Sequence, residues 1–159
     1  MLNPWINLMN ILQLLENNQL MINNNELFSV SYTDYSKHHY LKDFQKKYKG
    51  KQWDYTEKSI MLDLSRLRME NNTTQSSSQI DELKYNDHKL IAKYDFKIAL
   101  TNESTKTSGN RCILYIDEEK SLIKILLIYN KNHLPKNKDE TVYIFDVMKQ
   151  EYGELYSKY

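Results

Sequence analysis

The 159-residue sequence contains only one cysteine, three glycines and two prolines. A single cysteine cannot build a disulfide framework, and so few glycines and prolines argue against collagen-like chains, low-complexity chains and a glycine-rich phosphate loop. The longest apolar stretch, residues 122–129, is interrupted by Lys124 and is much shorter than the ~20 residues that span a bilayer. The N-terminus shows no basic segment before an apolar run, as a secretory signal would. We therefore expect a cytoplasmic protein that has no membrane partner.

The net charge is only +1, because the Lys and Arg residues almost balance the Asp and Glu residues. Residues 36–70 and 89–138 carry an excess of Lys and Arg, whereas residues 1–35, 71–88 and 139–159 are acidic. This segregation is compatible with a basic face that attracts a polyanion, but also with lysines that only solvate exposed surfaces. Any contact with nucleic acid must therefore come from local clustering of basic side chains.

Residues 1–25 form a predicted N-terminal helical extension, and residues 26–159 form the predicted main domain. Apolar residues of the extension recur at helical spacing within residues 4–16. They are Trp5, Leu8, Met9, Leu12 and Leu15. An exposed apolar stripe is expected to pack against another surface. That surface could belong to the main domain, to a partner protein or to a second copy of the chain.

The main domain is predicted to begin with one strand and two helices. Residues 27–33 alternate apolar and small polar side chains, a pattern typical of a strand. Residues 36–49 have the apolar face of a helix, which is predicted to end at Gly50. A second helix is predicted to begin near Asp54, because Asp54 and Glu57 have the spacing of a capping box. Only a few residues separate the two helices, which predicts an antiparallel helical hairpin.

Strands dominate the rest of the domain. Residues 70–79 are polar and predict a loop, after which residues 90–100 alternate apolar and polar side chains as a half-buried strand does. Residues 110–116 and 122–130 are almost continuously apolar and predict central strands covered on both faces. Residues 141–152 predict a final helix. The separation of helices and strands along the chain predicts the α+β class, with an antiparallel sheet packed against the helical hairpin.

Four segments resemble a known family: HYLKDFQKKY, LIAKYDFKIAL, SGNRCILYIDEE and IKILLIYNKNHLPKNKDETVY. Together with the order of elements, they resemble the RelE/ParE toxin superfamily of bacterial type II toxin–antitoxin systems over residues 27–152. The resemblance implies a RelE-like fold to which the N-terminal helix is an addition. It also implies a toxin that cleaves mRNA on the ribosome without a metal ion or other cofactor, and that a cognate antitoxin protein neutralises. ParE-like members instead inhibit DNA gyrase.

Metal-free cleavage of RNA uses the neighbouring 2′-hydroxyl as nucleophile, so side chains must remove its proton, stabilise the phosphoryl charge and protonate the leaving oxygen. The resemblance assigns this chemistry to Lys97, Arg111, Lys131, His133 and Tyr143. Arg111 is expected to hold the scissile phosphate, because its planar fork matches phosphate geometry. His133 is the best acid–base candidate, because its ordinary pKa of about 6.5 suits proton transfer at neutral pH. Tyr143 is expected to stack on a base or to carry a proton.

RNA binding is expected of a basic set that overlaps the catalytic one: Lys93, Lys97, Arg111, Lys131 and Lys136. Asp95 departs from the family pattern, because RNA-cleaving relatives carry a lysine at the matching position. A carboxylate there repels phosphate unless it acts as the base or pairs with a cation. His38 and His39 are neighbours on a predicted helix, so their rings point about 100° apart and predict no metal site.

Three functions remain open from the sequence. They are a metal-free mRNA endoribonuclease, a ParE-like gyrase inhibitor, and a catalytically inactive binding protein with the RelE fold. The presence of the full catalytic set distinguishes the first from the second, whereas Asp95 and the nearly balanced charge favour the third. The nuclease hypothesis requires that cationic and proton-carrying side chains of the C-terminal half share one pocket wide enough for a nucleotide. It fails if Lys97, Arg111 and His133 lie on opposite surfaces.

Overall fold

The computed structural model of the chain describes residues 27–70, 73–74 and 79–157. The predicted N-terminal helix and its boundary after residue 25 lie outside the described residues. The strands are β1 (Ser29–Tyr32), β2 (Met69–Glu70), β3 (Thr73–Thr74), β4 (Ile80–Asn86), β5 (Lys89–Phe96), β6 (Asn110–Asp117) and β7 (Leu122–Asn130). The helices are α1 (Asp34–His38), α2 (Leu41–Lys47), α3 (Lys51–Ser65), α4 (Thr105–Ser108), α5 (Glu140–Glu151) and α6 (Gly153–Tyr156), with a one-turn 3-10 helix at Lys131–His133.

One five-stranded sheet organises the fold, with its strands in the order β1-β7-β6-β5-β4. β1 runs parallel to β7, whereas β7, β6, β5 and β4 form an antiparallel meander. Parallel neighbours need a long connection, and here that connection contains the helices α1 to α4, the strands β2 and β3, and the rest of the sheet. The short strands β2 and β3 pair separately within the segment predicted as a polar loop. The predicted α+β class with a mainly antiparallel sheet is confirmed.

The two faces of the sheet carry separate apolar cores. On one face, α2 and α3 pack side chains such as Phe44 and Leu64 onto the strands. On the other face, α5 packs Ile144 and Met148 onto strand residues such as Leu127. β6 and β7 are buried along almost their whole length, which confirms the prediction that they are central strands covered on both sides.

The helical segment after β1 differs from its prediction. Instead of one helix over residues 36–49, α1 and α2 are separated at Tyr40, whose φ of 64° lies in the left-handed region. Neither glycine nor proline marks this break, so the sequence pattern does not reveal it. The next helix, α3, begins at Lys51 without a side-chain cap, so the capping box predicted at Asp54 is wrong.

Strand β4 is missing from the sequence-based prediction. It lies at the edge of the sheet, and an irregularity between Glu82 and Lys84 disturbs its pairing with β5. This irregularity interrupts the alternation of apolar and polar side chains that would identify a strand. The β4–β5 turn consists of Asp87 and His88, both with positive φ, as two-residue hairpin turns require.

The ends of two other elements also differ from expectation. β5 ends at Phe96, before the predicted end at residue 100. The predicted final helix is present as α5, and Gly153 begins the short helix α6 shortly after it. In the described part of the chain, no helix has both the length and the apolar character needed to cross a membrane.

Candidate functional site

A row of polar side chains crosses the sheet on the face that α5 covers. Asp95 of β5, Arg111 of β6 and Tyr129 of β7 lie directly opposite one another in the strand register. Side chains aligned in this way project to the same face and contact one another. Asp139 caps the N-terminus of α5 with its side chain, so the helix begins at Glu140. This position places the side chain of Glu140 next to the row.

The guanidinium of Arg111 is held between two carboxylates. Its Nε donates to Oδ1 of Asp95 at 3.0 Å, and its Nη1 donates to Oε2 of Glu140. The hydroxyl of Tyr129 donates to Oε1 of Glu140 at 2.7 Å. Arg111 is only 9% exposed, so the two ion pairs are shielded from water. We call these four residues the ionic cluster.

The ionic cluster carries more negative than positive charge. Burial lowers the pKa of Arg111, but the hydrogen bond and charge of Glu140, together with the charge of Asp95, outweigh burial and raise that pKa. Burial raises the pKa of Glu140, but the hydrogen bonds from Arg111 and Tyr129 outweigh burial and lower it. One guanidinium therefore faces two carboxylates. A phosphate can bind Arg111 only if Glu140 moves away, because like charges in a poorly hydrated site repel strongly.

His133 ends the 3-10 turn that follows β7 and takes part in its cap. The side chain of Asn130 accepts a hydrogen bond from Asn132 N–H at 2.9 Å, and Asn130 N–H donates to Nδ1 of His133 at 3.0 Å. Because Nδ1 accepts this bond, the neutral ring carries its proton on Nε2. Burial lowers the pKa of His133, and the charge of Lys47 acts in the same direction against that of Asp43. His133 is therefore neutral at pH 7 and can donate a hydrogen bond through Nε2.

Tyr40 connects His133 with Tyr143 of α5. The Tyr40 ring stacks on the His133 ring with their centroids 4.8 Å apart, and its hydroxyl donates to the His133 carbonyl at 3.3 Å. The same hydroxyl lies 3.0 Å from that of Tyr143, which must donate because Tyr40 has already given its only proton. Burial raises the pKa of Tyr143, and so does its bond to Tyr40, so Tyr143 keeps its proton at neutral pH. We call Tyr40, His133 and Tyr143 the aromatic cluster.

A surface groove of about 510 Å³ lies between Glu140 and the turn that follows β7. Its lining includes Lys131, Lys136, Lys138 and Glu140, and we call it the basic groove. Glu140 belongs to the ionic cluster, and Lys131 begins the turn that His133 ends. Lys138 is paired with Asp146 at 2.5 Å. Within the described residues, Lys131 and Lys136 form no ion pair, so their charges are available to a ligand.

Two predicted basic residues lie apart from this groove. Lys93 lies opposite Asp81 in the β4–β5 register and pairs with it at 3.3 Å. Lys97 is exposed beyond the end of β5 and lines neither the basic groove nor the pocket beside His133. Lys131 and Lys136 line the basic groove together with Glu140, the partner of Arg111. His133 lines a separate pocket beside the same turn, and Tyr143 is connected to it through Tyr40. The expected pocket containing Lys97 together with Arg111 and His133 is not formed.

Sequence reasoning missed two members of this site, Glu140 and Tyr40. The signal for Glu140 is its place directly after Asp139, a residue type that favours the start of a helix. Tyr40 gave no comparable signal, because its spacing also fits the apolar face of a helix. The pattern therefore predicts a core residue at Tyr40, whereas in the structure its ring stacks on His133 and its hydroxyl contacts that of Tyr143.

Comparison with known proteins adds no identification to this geometry. The sequence matches no family model, and searches of the curated proteins and of the solved structures find no match either. Within residues 27–70, 73–74 and 79–157, no three His, Cys, Asp or Glu side chains form a group that could hold a metal ion. The chemistry of the groove and its two clusters is therefore what bears on function.

Proposed function

We propose that the chain is a RelE-type toxin of a type II toxin–antitoxin system that cleaves mRNA on the ribosome without a metal ion. One observation above all supports this proposal. The basic groove holds the unpaired Lys131 and Lys136 beside Glu140, and the turn that Lys131 begins ends at His133 of the aromatic cluster. The segments that resemble the family contribute most of these side chains, which is an independent reason for the same proposal.

Lys131 and Lys136 bind backbone phosphates of the RNA. Lysine is a compact cation on a long stem, so two exposed lysines attract a polyanion without selecting a sequence. The groove is open and follows the turn after β7, which suits a single strand better than a rigid duplex. Sequence preference would then come from the ribosome and from stacking contacts rather than from these two side chains.

The scissile phosphate replaces Glu140 at Arg111. Because phosphate offers Arg111 the same oxygen ligands that Glu140 now provides, the exchange preserves the hydrogen bonds of the guanidinium. Glu140 loses the bond from Arg111 that lowers its pKa, and its affinity for a proton rises. When the phosphate displaces Glu140, it therefore gains Arg111 as its cation, and Glu140 becomes available as the base of the reaction.

The chemical step follows from these positions. Glu140 takes the proton of the 2′-hydroxyl, the 2′ oxygen forms a bond to phosphorus, and the bond from phosphorus to the 5′ oxygen breaks. When RNA binds, Tyr143 exchanges its hydrogen bond to Tyr40 for one to the leaving 5′ oxygen, to which it gives its proton. The Nε2–H of His133 donates a hydrogen bond to a phosphoryl oxygen. The products are a 2′,3′-cyclic phosphate and a 5′-hydroxyl. Glu140 then releases its proton to solvent, and Tyr143 regains one.

A cognate antitoxin is the proposed protein partner. It would place acidic side chains on the basic groove, because Lys131 and Lys136 lack carboxylate partners among the described residues. The interaction is tested by co-purification of a candidate antitoxin with the wild type and with the double variant Lys131→Ala, Lys136→Ala. Equal recovery with both proteins would show that the partner binds elsewhere.

The proposed reaction is tested by induced expression in bacteria, with primer extension on a reporter message. Wild type should arrest growth and create new 5′ ends, whereas Glu140→Gln should remove those ends because an amide cannot accept the proton. Glu119→Gln is the matched control, since Glu119 is exposed and pairs only with Lys89 among the described residues. Arrest with intact messages and broken chromosomes would favour the gyrase-inhibitor hypothesis instead.

A second candidate function is a catalytically inactive RNA-binding protein with the same fold. The ion pairs of Arg111 with Asp95 and Glu140 favour this candidate. They already use the hydrogen-bond donors of Arg111 that would otherwise bind the phosphate. This candidate predicts salt-dependent binding of RNA by the purified wild type, with no new 5′ ends and no growth arrest. Cleavage that disappears in Glu140→Gln would exclude it.

A further inference from the structure

An apolar groove of about 810 Å³ lies between β1 and α3, away from the proposed nuclease site. Phe28 and Val30 from the strand side and Met61 and Leu62 from the helix side contribute its apolar surface. Phe28, Val30 and Met61 are half-buried against the larger core, whereas Leu62 is 40% exposed. The groove is thus an extension of the core that the described residues leave open.

The edge of the sheet adds to this open surface. β1 is the outermost strand, with β7 as its single neighbour in the described sheet. Exposed strand edges beside apolar surface are normally covered, because they otherwise pair with other chains. A segment that packs against β1 and α3 would cover both the groove and the edge.

The chain enters the described structure at this groove. The N–H groups of Leu27 and Phe28 both donate to the carbonyl of Ser65, at 2.7 and 3.0 Å. Phe28 and Ser65 line the groove, so the first described residues of the chain lie at its wall. Eleven residues, 16–26, separate Leu27 from the apolar stripe, and an extended chain of that length reaches about 36 Å. The stripe can therefore reach any part of the groove.

We propose that the apolar stripe of residues 5–15 packs into the groove between β1 and α3 of the same chain. The stripe supplies five large apolar side chains, which is what an open extension of the core requires. Lys58 and Glu57 both line the groove, so its charges balance and the apolar side chains determine what packs there. The short connection also keeps the local concentration of the stripe far above that of any separate molecule. This proposal does not depend on the proposed function.

The test introduces pairs of cysteines into the full chain and links them with a short bismaleimide reagent. Leu12→Cys with Leu62→Cys should give a link within one chain, seen by peptide mapping and by faster migration of the monomer on a denaturing gel. The native Cys112 is fully buried and should not react. Leu12→Cys with Val142→Cys is the control, because Val142 is exposed on α5, across the sheet.

Each outcome of this experiment decides the proposal. A within-chain link in the Leu62 pair, absent from the Val142 pair, supports it. A covalent dimer in the Leu62 pair would assign the groove to a second copy and overturn it. The proposal is also overturned if Leu12→Cys with Leu62→Cys and Leu8→Cys with Met61→Cys both fail to link, or if the Val142 pair links equally well.

Discussion

The ring of Tyr40 stacks on the ring of His133, with centroids 4.8 Å apart and planes inclined by 15°. The two residues are 93 positions apart in the chain, and their contact joins the break between α1 and α2 to the turn after β7. Tyr40 holds this position with a backbone conformation that costs most residues about 1–2 kcal/mol. The aromatic cluster thus depends on a strained residue that its neighbours keep in place.

The strain at Tyr40 predicts an unusual order of stability between two variants. Tyr40→Gly and Tyr40→Ala both lose the stacking contact and the hydroxyl, but only glycine tolerates a positive φ without strain. We expect Tyr40→Gly to be more stable than Tyr40→Ala by about 1 kcal/mol, measured by urea unfolding. The same pair of substitutions at Lys46, inside α2, should give the opposite order. Equal or reversed stabilities at position 40 would contradict the left-handed conformation.

The lowered pKa of His133 predicts that stability falls in mildly acidic solution. The unfolded chain binds a proton at His133 near the ordinary pKa of about 6.5, whereas the folded chain binds it only at lower pH. Between these two values the unfolded state holds more protons. The contribution of His133 is therefore complete above about pH 6.5 and is lost as the pH falls toward the folded pKa.

This pH dependence is measured by urea unfolding at about pH 7.5 and about pH 5.5, on either side of the ordinary histidine value. His133→Asn should reduce the difference between the two free energies of unfolding, because its side-chain oxygen can accept the bond from Asn130 but does not titrate. His38→Asn is the control, since His38 is exposed and its Nδ1 lies 2.7 Å from the Asp34 carbonyl oxygen. An unchanged difference in His133→Asn would show that another group causes the pH dependence.

Removing Arg111 is expected to destabilise the fold strongly. Arg111→Ala leaves Asp95 and Glu140 close together without their cation, and breaking such a buried pair costs about 3–5 kcal/mol. Lys106→Ala, at an exposed position, should change the free energy of unfolding by less than about 0.5 kcal/mol. A loss below about 1 kcal/mol for Arg111→Ala would mean that the ionic cluster is open to water. Loss of toxicity in this variant would therefore not by itself identify Arg111 as catalytic.

The basic groove predicts a measurable change in salt dependence. Each lysine that neutralises a phosphate of a single strand contributes about 0.7 to the slope of log K against log salt concentration. The double variant Lys131→Ala, Lys136→Ala should therefore bind a short single-stranded RNA more weakly, with a slope smaller by about 1.4. Fluorescence anisotropy across a salt series measures both quantities. The control is the double variant Lys106→Ala, Lys120→Ala. If it lowers the slope by the same amount, RNA binding does not depend specifically on the basic groove.

Prediction from the sequence succeeded where burial alone determines the pattern. β6 and β7 are almost continuously apolar because both of their faces are covered, and their positions were predicted to within one residue. It failed at β4, whose edge position and irregular pairing remove the alternation. It also failed at Tyr40, because the helix is broken there by contacts with distant residues and not by a local breaker.

The functional side chains show the same limit. The sequence contains Asp95 and Arg111, but their pairing depends on the register between β5 and β6, and a shift by one residue would turn one of them to the opposite face. Glu140 reaches Arg111 only because α5 begins beside the end of β7. The sequence could therefore name the charged residues of the site, but not that Arg111 is already occupied.

The parallel pairing of β1 with β7 has a consequence for synthesis of the protein. Thr33 donates to the carbonyl of Ile125, 92 positions further along the chain, through both its N–H and its hydroxyl. Because ribosomes build chains from the N-terminus, β1 emerges long before the strand against which it lies. Tyr40 likewise precedes its histidine partner by most of the chain. A nascent chain therefore cannot form either contact until β7 and the turn after it have been synthesised.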